Sequence, residues 1–127
     1  MSPLRSGWRA GPVSGVDGPV LVSVTAFTYR HLRDLPGITL AAIRLRREWP
    51  ELDGAVGLWL WAEPSSRRVG SVSVWTGETA LRGFVGVPLH VGIMRRYRDR
   101  GEVSASTWWS GELDQPEIWR AAVRWLR

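Results

Sequence analysis

Apolar and polar residues alternate along four segments of the chain and recur at helical spacing along three others. Alternation with a period of two predicts strands at 20–27, 54–62, 69–75 and 103–109. Apolar residues three or four positions apart predict helices at 36–49, at 76–98 and after residue 114. The order β-α-β-β-α-β plus a terminal helix is typical of a ferredoxin-like α+β domain. In that fold an antiparallel sheet carries both main helices on one face.

Capping and breaking residues set the predicted helix ends. Pro50 ends the first helix, and Thr76 is predicted to cap the second. Because proline disfavours helical geometry in the residue before it, the second helix is predicted to break near Pro88. Asp114 and Glu117 form a capping-box pattern that opens the last helix.

The first 19 residues differ in composition from the rest of the chain. They contain four glycines and three prolines and show little apolar periodicity. Such a segment is predicted to form a flexible N-terminal arm, either extended or disordered, with Trp8 attached to the body. Residues 20–127 are predicted to form a single ferredoxin-like α+β domain.

Large aromatic residues on the strands predict a partner. The helices are expected to cover one sheet face, which leaves some combination of four aromatic residues on the other: Phe27, Trp59, Trp61 and Trp75. Contiguous aromatic surface of this kind is rarely left in water. Packing against the sheet of a second copy, in a homodimer, is the simplest way to bury it.

Composition excludes several classes of protein. The 127 residues include no cysteine and two histidines, His31 and His90, so a disulfide framework, a thiolate nucleophile and a protein-only metal site are not expected. No apolar run approaches the ~20 residues of a membrane span, and no apolar segment follows the early arginines as in a secretory signal. A cytoplasmic protein without a membrane partner is predicted.

The net charge of +5 comes from arginine alone. The arginines cluster at 44–47 and at 95–100, where they alternate with apolar positions of predicted helices. That interleaving favours solvated helix faces over a phosphate-binding surface, so no nucleic-acid partner is predicted.

His90 is the strongest candidate for chemistry. With Met94 and Tyr97 it follows the spacing i, i+4, i+7, which places all three on the inward face of the helix. His90 then acts as an acid or base or, if haem is bound, as its axial ligand; the alternative is a core histidine bonded to a backbone carbonyl. Tyr97 either donates a hydrogen bond to a substrate oxygen or packs in the core. His31 is expected in a surface loop.

Nine tryptophans are many for a chain of this length. Aromatic and apolar side chains suit the walls of a cavity for a flat apolar ligand. The predicted walls are Phe27, Trp61, Trp75, Phe84, Met94 and Trp109. The alternative is that these residues fill a small core.

Residues 72–98, with the following strand that ends in Trp108 and Trp109, carry a family resemblance. The Ser-Val-Trp strand end, Phe84-Val85, His90 and Met94-Arg95-Arg96 are similar to an uncharacterised bacterial family of the dimeric α+β barrels. That superfamily includes antibiotic-biosynthesis monooxygenases and spheroidene-monooxygenase-like proteins. The resemblance covers about residues 70–125.

The resemblance implies a homodimeric barrel and a small-molecule enzyme of bacterial secondary metabolism. The leading expectation is a monooxygenase-like activity on an apolar or aromatic substrate held between sheet and helices. A polyketide-type cyclase and a non-catalytic ligand- or haem-binding dimer remain open alternatives, and the cofactor is either none or haem. In the haem-degrading branch a tryptophan stands at the position of Phe84 and a histidine at that of Met94, so haem degradation is not expected.

Overall fold

The computed structural model describes residues 3–127. Its strands are β1 (Leu4–Arg5), β2 (Arg9–Ala10), β3 (Val20–Tyr29), β4 (Ala55–Glu63), β5 (Arg68–Trp75) and β6 (Gly101–Ser110). Its helices are α1 (Leu35–Glu48), α2 (Glu78–Val85), α3 (Pro88–Tyr97) and α4 (Gln115–Leu126). Three short 3₁₀ turns lie at Leu32–Asp34, Trp49–Glu51 and Pro64–Ser66. None of the helices within this range is long and apolar enough to cross a membrane.

The four long strands form the centre of the sheet in the spatial order β4-β5-β3-β6, and each neighbouring pair is antiparallel. Helix α1 connects β3 to β4, and α2 with α3 connects β5 to β6. This is the predicted ferredoxin-like βαββαβ order with a helix after the last strand, and the prediction is confirmed. The register places Ser23 opposite Ser73 and Thr25 opposite Ser71. Residues opposite each other in an antiparallel pair share a face of the sheet.

The N-terminal arm adds two short strands to the outer edge of β4. Leu4 pairs with Ala62, and Arg9 pairs with Leu58. Trp8 lies directly over Gly57, where a Cβ atom would collide with its ring, and its ring centroid is 4.6 Å from that of Trp59. The arm was predicted to be either extended or disordered, and it is extended at these positions. Its flexibility stays a prediction.

One face of the sheet forms a packed core with α4. Valines of β3 and β5 interdigitate there with residues of the helix: Val22, Val24, Val72, Val74, Ile118, Ala122 and Leu126. Trp59 and Trp61 lie on this face and are each 3 % exposed. The expectation of an uncovered aromatic face is wrong, because α4 and the arm cover it within one chain. Phe27 and Trp75 lie on the opposite face, beneath α1, α2 and α3.

The predicted interruption of the second helix is present. Helix α2 ends at Val85, and α3 begins at Pro88, which stands at its first position. The predicted cap at the start of α2 is wrong: Gly77 occupies the N-cap position and provides no side-chain cap. At α4 half of the predicted capping box is present: the Asp114 Oδ1 accepts a hydrogen bond of 3.1 Å from the Glu117 backbone N–H. The reciprocal bond is not formed, because the Asp114 N–H donates to the Glu112 carbonyl oxygen and the Glu117 carboxylate accepts from Arg120 and Arg124.

Candidate functional site

A cavity of about 630 Å³ lies between the sheet and helices α1, α2 and α3. Its volume is within the range of small-molecule sites, which is about 300–1,000 Å³. The helices contribute mostly apolar side chains: Ile38, Ala42, Ile43 and Leu45 from α1, Leu81, Phe84 and Val85 from α2, and Ile93 and Met94 from α3. The cavity occupies the region between sheet and helices where the sequence places the ligand.

Small side chains on the central strands leave the space open. At the centre of β3 and β5 the cavity-facing positions are Ser23, Thr25, Ser71 and Ser73, and the larger pair Phe27 and Val69 follows towards one end. On the opposite face, the same strands carry valines that fill the core. Close-packed interiors tolerate few voids, so a row of short hydroxyl side chains under three helices leaves volume that neighbouring residues do not fill.

His90 lies in the lining near the start of α3. Its Nδ1 is 3.1 Å from the Val85 carbonyl oxygen, at the break between α2 and α3. A carbonyl oxygen only accepts, so neutral His90 carries its proton on Nδ1 and leaves the lone pair of Nε2 available. The Phe84 ring packs on the imidazole with centroids 4.7 Å apart. His90 therefore makes the hydrogen bond to a backbone carbonyl that was predicted for a core histidine, and it also lines the cavity.

Tyr97 lies at the other end of α3, seven residues beyond His90 or about 10 Å along a helix axis. It is 7 % exposed, and its ring meets Phe27 edge-on with centroids 6.4 Å apart. The Tyr97 hydroxyl contacts Gly37 at the start of α1. The two predicted catalytic side chains thus line opposite ends of the cavity and do not approach a common atom.

The predicted wall residues divide into two groups. Phe27, Phe84 and Met94 line the cavity. Trp61 also borders it, but its side chain belongs to the core on the α4 side of the sheet. Trp75 and Trp109 are not among the lining residues.

The two tryptophans outside the lining have different surroundings. Trp75 is fully buried behind Phe84, with ring centroids 5.1 Å apart, and its Nε1 donates to Ser73 Oγ at 2.9 Å. Trp109 is 54 % exposed on the edge strand β6. Neither of these tryptophan rings belongs to the described lining of the cavity.

Charge in the described lining is entirely basic. It includes Arg5 and Arg98 and no carboxylate. The Arg5 guanidinium lies over the rings of Trp59 and Trp119, at 5.1 and 4.8 Å from their centroids, on the α4 side of the sheet. Arg98 therefore remains as the cationic side chain at the Tyr97 end. No group of three metal-ligating side chains occurs within residues 3–127.

Sequence reasoning missed the hydroxyl side chains and Arg98. Serines that alternate with valines on a strand are typical of a solvent-exposed face, so Ser23, Ser71 and Ser73 gave no sign of a cavity. The signal that could have found them is that they lie opposite each other on two neighbouring strands. That signal becomes visible only when the register of the sheet is known. Arg98 stood in an arginine cluster that is typical of a solvated helix.

Several solved structures have the fold of this chain. Neighbours include SnoaB, a cofactor-independent oxygenase from Streptomyces nogalater, with 16 % identity, a TM-score of 0.61, and coverage of 76 % of this chain and 97 % of that protein. A ferredoxin-fold protein from Listeria monocytogenes related to antibiotic biosynthesis monooxygenases has 16 % identity, a TM-score of 0.60 and coverage of 72 % and 57 %. The fold that the resemblance implies is confirmed.

A third neighbour is a dimeric ferredoxin-like protein of unknown function from Jannaschia sp. CCS1. It has 14 % identity, a TM-score of 0.62 and coverage of 70 % of this chain and 97 % of that protein. No family model and no curated protein matches the chain. At these identities the antibiotic-biosynthesis-monooxygenase-like neighbours show the architecture, and the chemistry has to be argued from the cavity.

Proposed function

We propose that the protein is a monooxygenase-like enzyme that binds a flat apolar or aromatic molecule in the cavity. The distribution of exposed apolar side chains carries this proposal. Of the eight large hydrophobic residues that are exposed within residues 3–127, five line the cavity: Leu4, Ile43, Val85, Met94 and Val103. Apolar surface gathered around one concavity is typical of a ligand site.

His90 supplies the basic group of the proposed reaction. Its Nδ1 makes the hydrogen bond to Val85, and its Nε2 accepts no hydrogen bond from the described residues. It can therefore take a proton from an acidic C–H or O–H group of a bound substrate. An oxygenase without an external reductant takes all its electrons from the substrate. A methylene group then reacts with O₂ to give a carbonyl group and water.

The fold neighbours support this class of chemistry without identifying a substrate. SnoaB is a cofactor-independent oxygenase, and this chain is similar to it in fold. The homodimer stays a prediction, and the dimeric Jannaschia protein supports it. A part in antibiotic biosynthesis and a cytoplasmic, bacterial setting stay predictions too.

A second candidate is a polyketide-type cyclase or a non-catalytic binding protein that uses the same cavity. One observation favours it: apart from arginine and tyrosine, His90 is the single titratable side chain in the described lining. Binding a ligand, or folding a reactive chain against an apolar wall, requires no charged catalytic apparatus.

The donor set also fits a haem in one respect. His90 Nε2 would hold the iron, since a carbonyl bond to the other ring nitrogen is the usual support of a ligating histidine. Bound haem would supply redox chemistry, and Arg98 is the cation available to a propionate at the far end of the cavity. The absorption spectrum of the protein mixed with hemin tests whether haem binds. His90→Ala is expected to lose the spectrum of histidine-ligated haem.

Oxygen uptake tests the proposed enzyme directly. Anthrone is a suitable probe because it is flat and aromatic and carries one activated methylene group. Wild-type protein is expected to accelerate O₂ consumption and anthraquinone formation above the protein-free rate, and His90→Ala to lower kcat by about 100-fold, the scale of general-base catalysis. His31→Ala, which removes an exposed histidine, is the matched control. Binding of anthrone without any oxygen uptake would favour the cyclase or the binding protein.

A further inference from the structure

Hydroxyl groups form a polar strip on the sheet side of the cavity. Ser23 and Thr25 of β3 lie beside Ser73 and Ser71 of β5, two directly opposed pairs on the same face. Ser73 is committed to the protein: its hydroxyl accepts from the Trp75 indole at 2.9 Å and donates to the Ser23 carbonyl oxygen at 3.4 Å. The hydroxyls of the other three bond to no protein group within residues 3–127. We refer to Ser23, Thr25 and Ser71 as the hydroxyl strip.

The hydroxyl strip is the polar part of an otherwise apolar lining. Ser23 is 8 % exposed, while Thr25 and Ser71 are half-buried, so these hydroxyls are open to the cavity. The helices that face the strip contribute apolar side chains such as Ala42 and Leu81. A ligand that lies on the sheet removes the strip from water, and a hydroxyl that is covered without a partner is unfavourable. A ligand with oxygen atoms on its sheet side avoids that cost, whereas a hydrocarbon does not.

The spacing of the strip restricts the ligand. Ser23 and Thr25 are separated by about 7 Å along β3, and Thr25 and Ser71 by about 5 Å across the strand pair. Each hydroxyl can donate to a keto oxygen or accept from a phenol. The strip therefore matches two oxygens on opposite sides of one six-membered ring better than a single polar group.

From these observations we propose that the hydroxyl strip determines ligand specificity by hydrogen bonding to two oxygen atoms of a flat ring system that lies on the sheet. The inference rests on the proposed function, because it concerns the same cavity. It adds the oxygen-bearing class of the ligand and the three residues that select it. His90 and Phe84 then contact the ligand from the helix side.

Two probes of matched shape test the strip. 1,4-Naphthoquinone carries two para oxygens, and 1,4-dimethylnaphthalene replaces them with methyl groups. The chain has no cysteine or lysine side chain for the quinone to alkylate. Calorimetric titration gives Kd for both probes. The Kd ratio of quinone to hydrocarbon is expected to rise about tenfold or more when Thr25→Val and Ser71→Ala are combined, because two hydrogen bonds are lost.

Conservative and distant substitutions provide the controls. Thr25→Ser keeps the hydroxyl and is expected to keep the wild-type Kd ratio, while Thr25→Val keeps the shape and shifts the ratio. Ser104→Ala changes a serine on the opposite face of the sheet, on β6, and is expected to leave both constants unchanged. These variants also separate a specific effect from general loss of folding.

The outcomes distinguish the strip from the cavity. If the Thr25→Val, Ser71→Ala protein binds both probes with wild-type affinity, the strip has no part in recognition, although the ligand site of the proposed function stands. If wild-type protein binds neither probe, the result contradicts both the proposed ligand site and the role of the hydroxyl strip. If it binds the quinone and the Kd ratio shifts only in the strip variants, the assignment of specificity to these hydroxyls is supported.

Discussion

The two faces of the central sheet use the same strands for different purposes. Towards α4, β3 and β5 present valines that are fully buried, among them Val24 and Val72. Towards α1–α3, the neighbouring positions are Thr25 and Ser71, which border a cavity. One residue along either strand therefore separates a filled core from open volume.

This contrast shows how a small domain combines stability with a ligand site. The α4 face removes apolar side chains and the rings of Trp59 and Trp61 from water, which stabilises the fold. The cavity face gives up packing under three helices and gains space for a ligand. A second core cluster, which includes Leu21, Trp49 and Trp75, packs the rest of that face, so both faces stabilise the fold and one of them also leaves space for a ligand.

The largest effect on the free energy of unfolding is expected when a core residue is replaced by the type of side chain that lines the cavity. Val72→Ser should destabilise the protein by about 3 kcal/mol, since it removes buried methyl groups and buries a hydroxyl. Ser71→Val, one position away, should change the free energy of unfolding by less than about 1 kcal/mol, because the cavity accepts the added methyl groups. Urea unfolding of both variants measures the difference. Equal destabilisation by the two substitutions would contradict the division between a core face and a cavity face.

Removal of the Arg5 side chain should have an intermediate effect. The guanidinium lies over Trp59 and Trp119 and connects the arm to α4. Arg5→Ala is expected to lower the free energy of unfolding by about 1 kcal/mol, as the cation–π contacts of an exposed guanidinium and the packing of its stem are lost. Arg5→Met retains the stem and isolates the charge. Arg33→Ala, at an exposed position, serves as the control, and a loss as large as that of Arg5→Ala would argue against the contact.

The smallest effect is expected at the edge of the α4 face, where Glu63 meets Arg68. Hydrogen bonds from Ser66 and Arg68 hold the pKa of Glu63 below its usual value. Because the pKa is lower in the folded state, the carboxylate stabilises the fold above its unfolded pKa and loses this contribution as pH falls through the folded pKa. Glu63→Gln should therefore cost about 0.5 kcal/mol at pH 7, the scale of a surface ion pair, and nearly nothing at pH 2. An equal cost at both pH values would exclude the carboxylate charge as the cause.

The architecture was largely predictable because local patterns determine it. Period-two alternation identified β3 to β6, and Pro88 identified the break between α2 and α3. Alternation shows which residues share a face, but not which face a helix covers. For that reason the position of α4 over Trp59 and Trp61 could not be anticipated. Because α4 covers those rings within one chain, their burial requires no second copy.

The site was predictable on its helix side and not on its sheet side. Helical spacing placed His90, Met94 and Tyr97 together, and all three line the cavity. The strip residues were overlooked because a serine or threonine on a strand has no sequence signature that distinguishes a cavity from solvent. Their meaning depends on long-range register, Thr25 opposite Ser71, which no local pattern contains.

The hydrogen bond at the helix break also fixes the direction in which His90 points. The Val85 carbonyl oxygen holds Nδ1, and the Phe84 ring packs on the imidazole, so the side chain has one orientation before a ligand arrives. A ligand that reaches Nε2 therefore costs little further side-chain entropy at this residue. His90 is preorganised, because the break that ends one helix also orients the base that the next helix carries.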